Sequence, residues 1–275
     1  MPSQPRPLTF AVVDGIGFAA ESGRIEAALK SGPFTPSILG PSLELLDFLP
    51  GNSLSTGDSA TWMTPNGVAS LLLALQNGSE SWMSPGSGSS GFIRASRPGV
   101  DGNNRLVAFL MNAKRAAQEI TGLPGTTPGQ LAAAMQEMES NIHEHSAAAD
   151  TGVIAYQATP KCFEFVVFDR GIGLLDSLRQ CESYRSLSDC GKALEAALAD
   201  GTSRFGPGSN HGNGFRPIFI GLANLRGELR FRSGDYALTM DGTSPNLTKA
   251  HLAQKPVISG FFASVTCYPS TQQQV

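Results

Sequence analysis

The sequence has little charge and no long hydrophobic run. Only 16% of its 275 residues are Asp, Glu, Lys or Arg, and the formal net charge of −3 includes no basic patch. Proteins that bind nucleic acids carry clustered Lys and Arg for the phosphates, so charge gives no support for a nucleic-acid partner. No apolar stretch reaches the roughly 20 residues of a membrane-spanning helix, so we expect no membrane partner.

Cysteine and histidine are also scarce, with four of each. The cysteines show no CxxC spacing and the histidines form no HExxH motif, which removes the usual signatures of zinc sites. His143 and His145 are two residues apart, and that spacing points them to different sides of a helix. The N-terminus, MPSQPRPLTF, lacks the apolar segment of a signal peptide. We therefore expect free thiols and a cytoplasmic location.

The first hundred residues are rich in Gly, Ser and Pro. Segment 8–15 (LTFAVVDG) reads as a strand that ends in a turn, whereas 23–32 and 67–78 have the apolar spacing of helices closed by glycine. Segment 84–91, SPGSGSSG, is a loop by composition. It lacks the Lys-Ser or Lys-Thr of a phosphate-binding loop, so it does not predict one.

Stronger signals begin at residue 105. Helices are predicted at 105–122 and 127–146, with Thr127 as the N-cap of the second and Pro128 at its first position. The later elements are strands at 151–160 and 161–169, a broken helical stretch at 174–201, a hairpin at 228–242 turning near Gly234, and a closing strand at 258–269. This order predicts an α+β fold, a two-layer α/β sandwich with helices on one face of a mixed or antiparallel sheet.

The segment FEFVVFDRGIGLLDSLR (163–179) places a carboxylate and two glycines directly after an apolar strand. Asp169 could accept a hydrogen bond from the exocyclic amine of adenine, and Gly171 and Gly173 would let a flat ring approach the backbone. An ordinary Asp-Gly turn leaving a strand explains the same residues. VDGIG at 13–17 looks similar, but its glycine spacing differs and no helix precedes it.

A second polar stretch, EMESNIHEHS (137–146), lies on the predicted helix 127–146. Glu137 and Asn141 are four residues apart and share one face, and His145 extends that stripe by another turn. An Asn oxygen can bind a Mg²⁺ ion that also holds phosphate oxygens, and a Glu one turn earlier can act as a general base. A solvated polar face is the alternative interpretation.

The third stretch is SNHGNG (209–214). Gly212 and Gly214 would let backbone N–H groups surround a triphosphate, helped by the N-terminus of a following helix. A flexible loop is the alternative here.

Taken together and in this order, the three stretches resemble the ATP-binding domain of the GHKL superfamily, which includes gyrase, histidine kinases and MutL. Glu137-x-x-x-Asn141 resembles the N box, Asp169 to Gly173 resembles the DxGxG box, and Gly212-Asn213-Gly214 resembles the glycine-rich box that ends the ATP lid. The resemblance covers roughly residues 105–270. It looks closest to small bacterial ATP-binding proteins of the anti-sigma-factor and histidine-kinase-like kind.

The resemblance implies a Bergerat-type fold, with ATP and Mg²⁺ as cofactors. It implies Glu137 as the catalytic base, Asn141 as the metal ligand, and the following nucleotide-binding residues: Asn141, His145, Asp169, Gly171, Gly173, Gly212 and Gly214. Two departures weaken the case for fast turnover more than the case for binding. Gly260 is followed by Phe261 where the family often has threonine, and Phe215 stands where leucine is usual.

The family uses ATP in different ways, so two functions remain open. One is an ATPase or a kinase-like phosphotransferase acting on a protein partner, and the other is a non-catalytic switch whose lid, at about 174–214, controls a partner interaction. A sensor histidine kinase is disfavoured because no phosphoacceptor helix pair precedes the N box, and a gyrase-like machine because no transducer follows residue 270. Residues 1–104 are expected to form a separate region for sensing, partner docking or homodimer formation, and 271–275 a tail.

Overall fold

In the computed structural model, the described residues are 6–30, 34–35, 38–49, 67–95, 100–197, 227–241 and 250–269. The helices within these ranges are α1 (Phe10–Glu21), α2 (Ile25–Leu29), α3 (Leu39–Leu45), α4 (Gly67–Gln76), α5 (Val100–Glu119), α6 (Thr127–His145), α7 (Gly173–Arg179) and α8 (Cys190–Ala197). The strands are β1 (Arg6–Pro7), β2 (Phe34–Thr35), β3 (Ser81–Met83), β4 (Ser90–Arg94), β5 (Val153–Ala158), β6 (Phe163–Asp169), β7 (Glu228–Asp241) and β8 (His251–Cys267).

Six strands form one antiparallel sheet in the order β3-β4-β5-β6-β8-β7, while β1 and β2 make a separate short parallel pair. At one end of the sheet, Asp169 lies opposite Phe261, and Phe261 lies opposite Ser233. Residues directly opposite in an antiparallel pair point to the same face. Asp169, Phe261 and Ser233 therefore form a row across three neighbouring strands.

Helices cover both faces of the sheet. One face packs against α5 and α6, with α7 and α8 over β7 and β8, whereas the other packs against α1, α3 and α4. The side chains of strand β6 are buried on both faces of the sheet. Phe163, Phe165 and Val167 point to the first face, while Val166 and Phe168 point to the second. A strand covered on both sides reads as a continuous apolar run.

The predicted α+β class, with helices packed on an antiparallel sheet, is confirmed, and the N-terminal helices add a further layer on the second face. Helix α6 buries Leu131, Met135, Met138 and Ile142 at helical spacing. Its N-cap is Thr126, one residue before the predicted Thr127. None of the helices in the described ranges combines the length and hydrophobicity needed to cross a bilayer.

Two sequence-based predictions about the elements were wrong. Segment 8–15 is not a strand but the start of α1, where the Thr9 hydroxyl accepts from the N–H of Val12 at 3.4 Å and Val13 and Ile16 are buried one turn apart. Segment 228–242 is not a hairpin but the single strand β7. Gly234 has a φ of +60° and marks a β-bulge, because the register with β8 shifts on either side of it.

The proposed boundary between residues 104 and 105 does not separate two structural units. It falls inside α5, and β4, which precedes it, pairs with β5 along five residues. The N-terminal helices also bury one face of the same sheet. Each of the two core clusters, one on either face of the sheet, therefore contains residues from both sides of the boundary.

A buried carboxylate on β6 holds the N-terminal layer in place. Glu164 accepts the backbone N–H groups of Leu39 at 2.6 Å and Gly40 at 2.8 Å, and the hydroxyl of Ser264 donates to it at 3.0 Å. Leu39 and Gly40 begin α3, whose first N–H groups have no partner within the helix. Glu164 thus supplies from the sheet the acceptor that a capping side chain would normally provide.

A buried ion cluster makes the second attachment of this layer. Glu44 on α3 pairs with Arg230 and Arg232 on β7, and Arg230 also pairs with Asp14 on α1, which accepts from Lys255 at 2.8 Å. Buried charges are tolerated only when they are paired in this way. The cluster therefore fixes α1 and α3 on β7 and β8, the strands that carry Ser233 and Phe261.

Glu164 gives the protein a pH-dependent stability. Burial raises the pKa of Glu164 from 4.5 to about 7, so its contribution is fully present below pH 4.5 and is lost as pH rises to about 7. At one pKa unit per 1.36 kcal/mol, this amounts to about 3 kcal/mol. We expect Glu164→Gln to flatten the decline of unfolding free energy between pH 5 and 7.5, measured by urea denaturation. An unchanged slope in the variant would contradict this assignment.

Candidate functional site

Asp169 ends β6 and is only 4% exposed. Burial raises its pKa from 3.8 to about 6, and the N–H of Gly171, which donates to Oδ1 at 2.8 Å, opposes that rise. At neutral pH the group is therefore mostly an ionised carboxylate that has lost much of its hydration. Such a group is a strong acceptor for a ligand donor, and its retention in the fold carries a cost in stability.

Gly171 allows the turn after β6 to touch the end of α6. A Cβ at this position would overlap the carbonyl oxygen of Ser146, which follows the last residue of α6. That carbonyl accepts the N–H of Ile172 at 2.9 Å. Position 171 must therefore be glycine because the backbone of the DRGIG turn touches the backbone at the end of α6.

Gly173 and Gly260 both have a left-handed backbone, with φ of +74° and +69°. A Cβ on Gly260 would overlap the backbone oxygen of Asp169 and lie 2.7 Å from its Oδ1, while a Cβ on Gly173 would lie 2.9 Å from the hydroxyl of Ser233. Glycine at these two positions therefore lets the backbone of β8 pack directly on the end of β6, and lets the start of α7 pack on Ser233 and Gly260.

The predicted stripe on α6 has three different environments. Asn141 has its amide nitrogen buried, with no hydrogen-bond partner among the described residues. Glu137 is exposed, and none of the described residues bonds its carboxylate. His145 is partly buried, with Nε2 3.8 Å from a carboxylate oxygen of Glu144. A buried, unpaired amide favours binding of an additional group at that position.

The opposite side of α6 holds a second polar pair. His143 Nε2 and Glu139 Oε1 are 2.8 Å apart, and both side chains are mostly buried. Residues 139 and 141 differ by about 200° around the helix axis, so this pair points away from Asn141. It satisfies its own polar groups and is not part of the predicted stripe.

The structure brings α6 and the DRGIG turn together at one end of the sheet. Asn141 precedes Ser146 by five residues, or about 7.5 Å of helix rise, and Ser146 contacts Gly171 and Ile172 directly. Gly212 and Gly214, predicted to meet the phosphates, lie outside the described residues. The same holds for Phe215 and for most of the predicted lid.

Two features near the site were not predicted from the sequence. Ser233 donates to the carbonyl of Gly260 at 2.9 Å and accepts the N–H of Leu174 at 2.8 Å. Arg170, inside the DRGIG turn, donates through Nε to Asp47 at 3.0 Å. Burial raises the pKa of Asp47 to about 6 although Arg170 lowers it. The residues in each of these contacts are far apart in sequence, so no local spacing predicts that they meet.

A magnesium ion at this site would depend on a bound nucleotide. Within the described ranges, no three His, Cys, Asp or Glu side chains gather into a metal-binding group. Asn141 could supply one ligand through its carboxamide oxygen, which is a hard donor, while its buried, unpaired amide nitrogen would need an acceptor such as a phosphate oxygen. Phosphate and water oxygens would have to complete the octahedral shell that Mg²⁺ requires.

Comparison with known proteins adds no relative: no protein-family model matches the chain, and neither the curated proteins nor the solved structures contain a match.

Proposed function

We propose that the chain is an ATP-binding protein of the GHKL type that binds ATP with Mg²⁺ at the end of β6. The observation that carries the proposal is the buried carboxylate of Asp169, which accepts the N–H of Gly171 and packs against the backbone of Gly260. The Gly171 N–H offsets only part of the cost of burying this carboxylate, and the exocyclic amine of adenine is a suitable second donor. The α6 stripe next to the turn supports the same assignment.

In the proposal each residue has a defined task. Asp169 accepts from the adenine amine through the carboxylate, while its Oδ1 remains fixed by the Gly171 N–H. Asn141 offers its amide oxygen to the metal, and His145 lies one turn further along the same stripe. Mg²⁺ supplies neutralisation of phosphate charge when bound. Gly212 and Gly214 are proposed to contact the phosphates through backbone N–H groups.

The favoured activity is hydrolysis of ATP or transfer of its γ-phosphate to a protein partner, with Glu137 as general base. Glu137→Gln removes the base but keeps shape and exposure. We expect turnover to fall about 100-fold or more while ATP affinity stays within about twofold, because general-base catalysis contributes roughly 10²–10⁴. Phosphate release and ATP titration on both proteins measure this. Unchanged release would exclude Glu137 as the base.

A nucleotide-dependent switch is the second candidate function, and two observations favour it. Glu137 has no described partner that would orient it as a base. Arg170, in the DRGIG turn, is hydrogen-bonded to Asp47, which follows α3. Nucleotide binding at this turn could therefore alter the N-terminal layer. ATP binding by wild type without phosphate release, in the presence or absence of a protein acceptor, would support the switch over the enzyme.

A cytoplasmic location belongs to the same proposal. All four cysteines are free thiols in the structure, as is usual for proteins kept in a reducing compartment. A protein partner, as acceptor or switch target, is also part of the proposal. Recovery of the active chain from a cytoplasmic fraction with its thiols reduced would support the location.

A further inference from the structure

Ser233 links three elements at the candidate site, which are β7, β8 and α7. It lies on β7 immediately before the bulge at Gly234, and its side chain is only 1% exposed. Its hydroxyl donates to the carbonyl of Gly260 on β8 at 2.9 Å and accepts the N–H of Leu174 on α7 at 2.8 Å. One hydroxyl thus uses both of its hydrogen-bonding roles inside the core.

One partner of Ser233 packs against Asp169, and the other begins the helix that follows the DRGIG turn. Gly260 is so close to Asp169 that a Cβ there would overlap the Asp169 backbone. Leu174 follows Gly173, in the first turn of α7, where backbone N–H groups have no partner within the helix. Without the hydroxyl, the partly buried N–H of Leu174 would lose this acceptor and the buried carbonyl of Gly260 would lose this donor, so the bridge that holds the two together would be gone.

We propose that Ser233 is a positioning residue for the nucleotide pocket, which holds Gly260 and the start of α7 at a fixed distance from the Asp169 carboxylate. This inference rests on the proposed ATP-binding function. Ser233 need not touch the nucleotide. Its hydroxyl bridges β8 and α7 where their backbones already touch, at Gly173 and Gly260, so it fixes both against the end of β6 and thereby orients the Asp169 carboxylate that a base would meet.

Ser264 provides a matched control. It is a serine of the same sheet, 2% exposed, whose hydroxyl donates to Glu164 at 3.0 Å. That contact is on the opposite face, under the N-terminal layer, so Ser264→Ala removes a buried hydroxyl without changing the candidate pocket. Ser233→Ala and Ser264→Ala therefore make the same chemical change at buried positions, although Ser233 loses two hydrogen bonds and Ser264 loses one.

The experiment compares wild type, Ser233→Ala and Ser264→Ala by ATP titration with Mg²⁺ and by amide hydrogen exchange. We expect ATP affinity to fall about tenfold or more in Ser233→Ala and to change less than about twofold in Ser264→Ala, the loss corresponding to one or more buried hydrogen bonds. We also expect the Leu174 amide to exchange faster in nucleotide-free Ser233→Ala only.

Two results would overturn the inference. One is ATP affinity within twofold of wild type in Ser233→Ala, and the other is an equal loss in Ser264→Ala, which would reduce Ser233 to a general contributor to stability. Failure of wild type to bind ATP is a different result: it rejects the proposed function itself. The Leu174 exchange rate, which needs no nucleotide, then still reports whether Ser233 fixes the start of α7.

Discussion

Asp169→Asn is expected to reverse the base preference of the protein from ATP towards inosine triphosphate. The carboxylate of Asp169 can only accept hydrogen bonds, which suits the amine of adenine, whereas the Asn amide nitrogen can donate to the carbonyl that inosine carries at the same position. A hydrogen bond to a charged group contributes about 1.5–3 kcal/mol, so we expect ATP affinity to fall by about one to two orders of magnitude.

The same substitution is expected to stabilise the nucleotide-free protein at neutral pH. Because the pKa of Asp169 rises from 3.8 to about 6 on folding, the contribution of this group to stability is present below pH 3.8 and is lost as pH rises to about 6. Asn does not titrate. The unfolding free energy of Asp169→Asn minus that of wild type should therefore be about 3 kcal/mol larger at pH 7.5 than at pH 4. Loss of binding together with a gain in stability is typical of a functional residue.

Glu164→Gln is the control for this result. Glu164 lies on the same strand, is buried like Asp169, and also has a raised pKa, but it points to the N-terminal layer. The acid-to-amide change there should leave ATP affinity and base preference within about twofold of wild type, since distant sites act independently. If Asp169→Asn kept the wild-type preference for ATP, the base-recognition role of Asp169 would be rejected.

Alanine at Gly171 or Gly260 is expected to be the most damaging change to the fold at this site. At Gly171 a Cβ would overlap the Ser146 backbone, and at Gly260 it would overlap the Asp169 backbone in a left-handed conformation. Neither obstacle is a flexible side chain, so the turn or α6 must move. We expect each variant to lose about 4 kcal/mol or more of unfolding free energy, which places it among exceptionally destabilising substitutions.

Gly129→Ala tests whether the effect comes from these contacts rather than from loss of glycine. Gly129 lies in the first turn of α6, and a Cβ there meets no atom within 4 Å. Alanine at a compatible helical position stabilises by about 0.4–1 kcal/mol. Urea denaturation of the three variants gives the comparison, and a loss under 1 kcal/mol in both Gly171→Ala and Gly260→Ala would contradict the described backbone contacts.

Sequence patterns predicted the elements that depend on local periodicity. The helix predicted from the apolar spacing of α6 and the strand predicted from the apolar run of β6 were correct. In both, the pattern follows from which faces of the element are buried. The prediction of a strand at 8–15 was wrong because its apolar residues fit either a strand or a helix. The Thr9 cap and packing on the sheet favour the helix. Gly234 was read as a turn because a bulge and a turn both favour glycine.

The site was predictable only in part, for a related reason. Asp169, Gly171 and Gly173 lie within five consecutive residues, so a local motif identifies them as a group. The contacts of Ser233 with Leu174, and of Arg170 with Asp47, join residues 59 and 123 positions apart. Such contacts depend on strand order and layer packing, which one sequence does not specify locally.

The most direct test is calorimetric titration of the wild-type chain with ATP, with and without Mg²⁺. We expect binding that strengthens with Mg²⁺ and weakens when purine riboside triphosphate, which lacks the exocyclic amine, replaces ATP. Absence of heat and of thermal stabilisation at millimolar ATP with Mg²⁺ would contradict the proposal that this nucleotide binds at the end of β6.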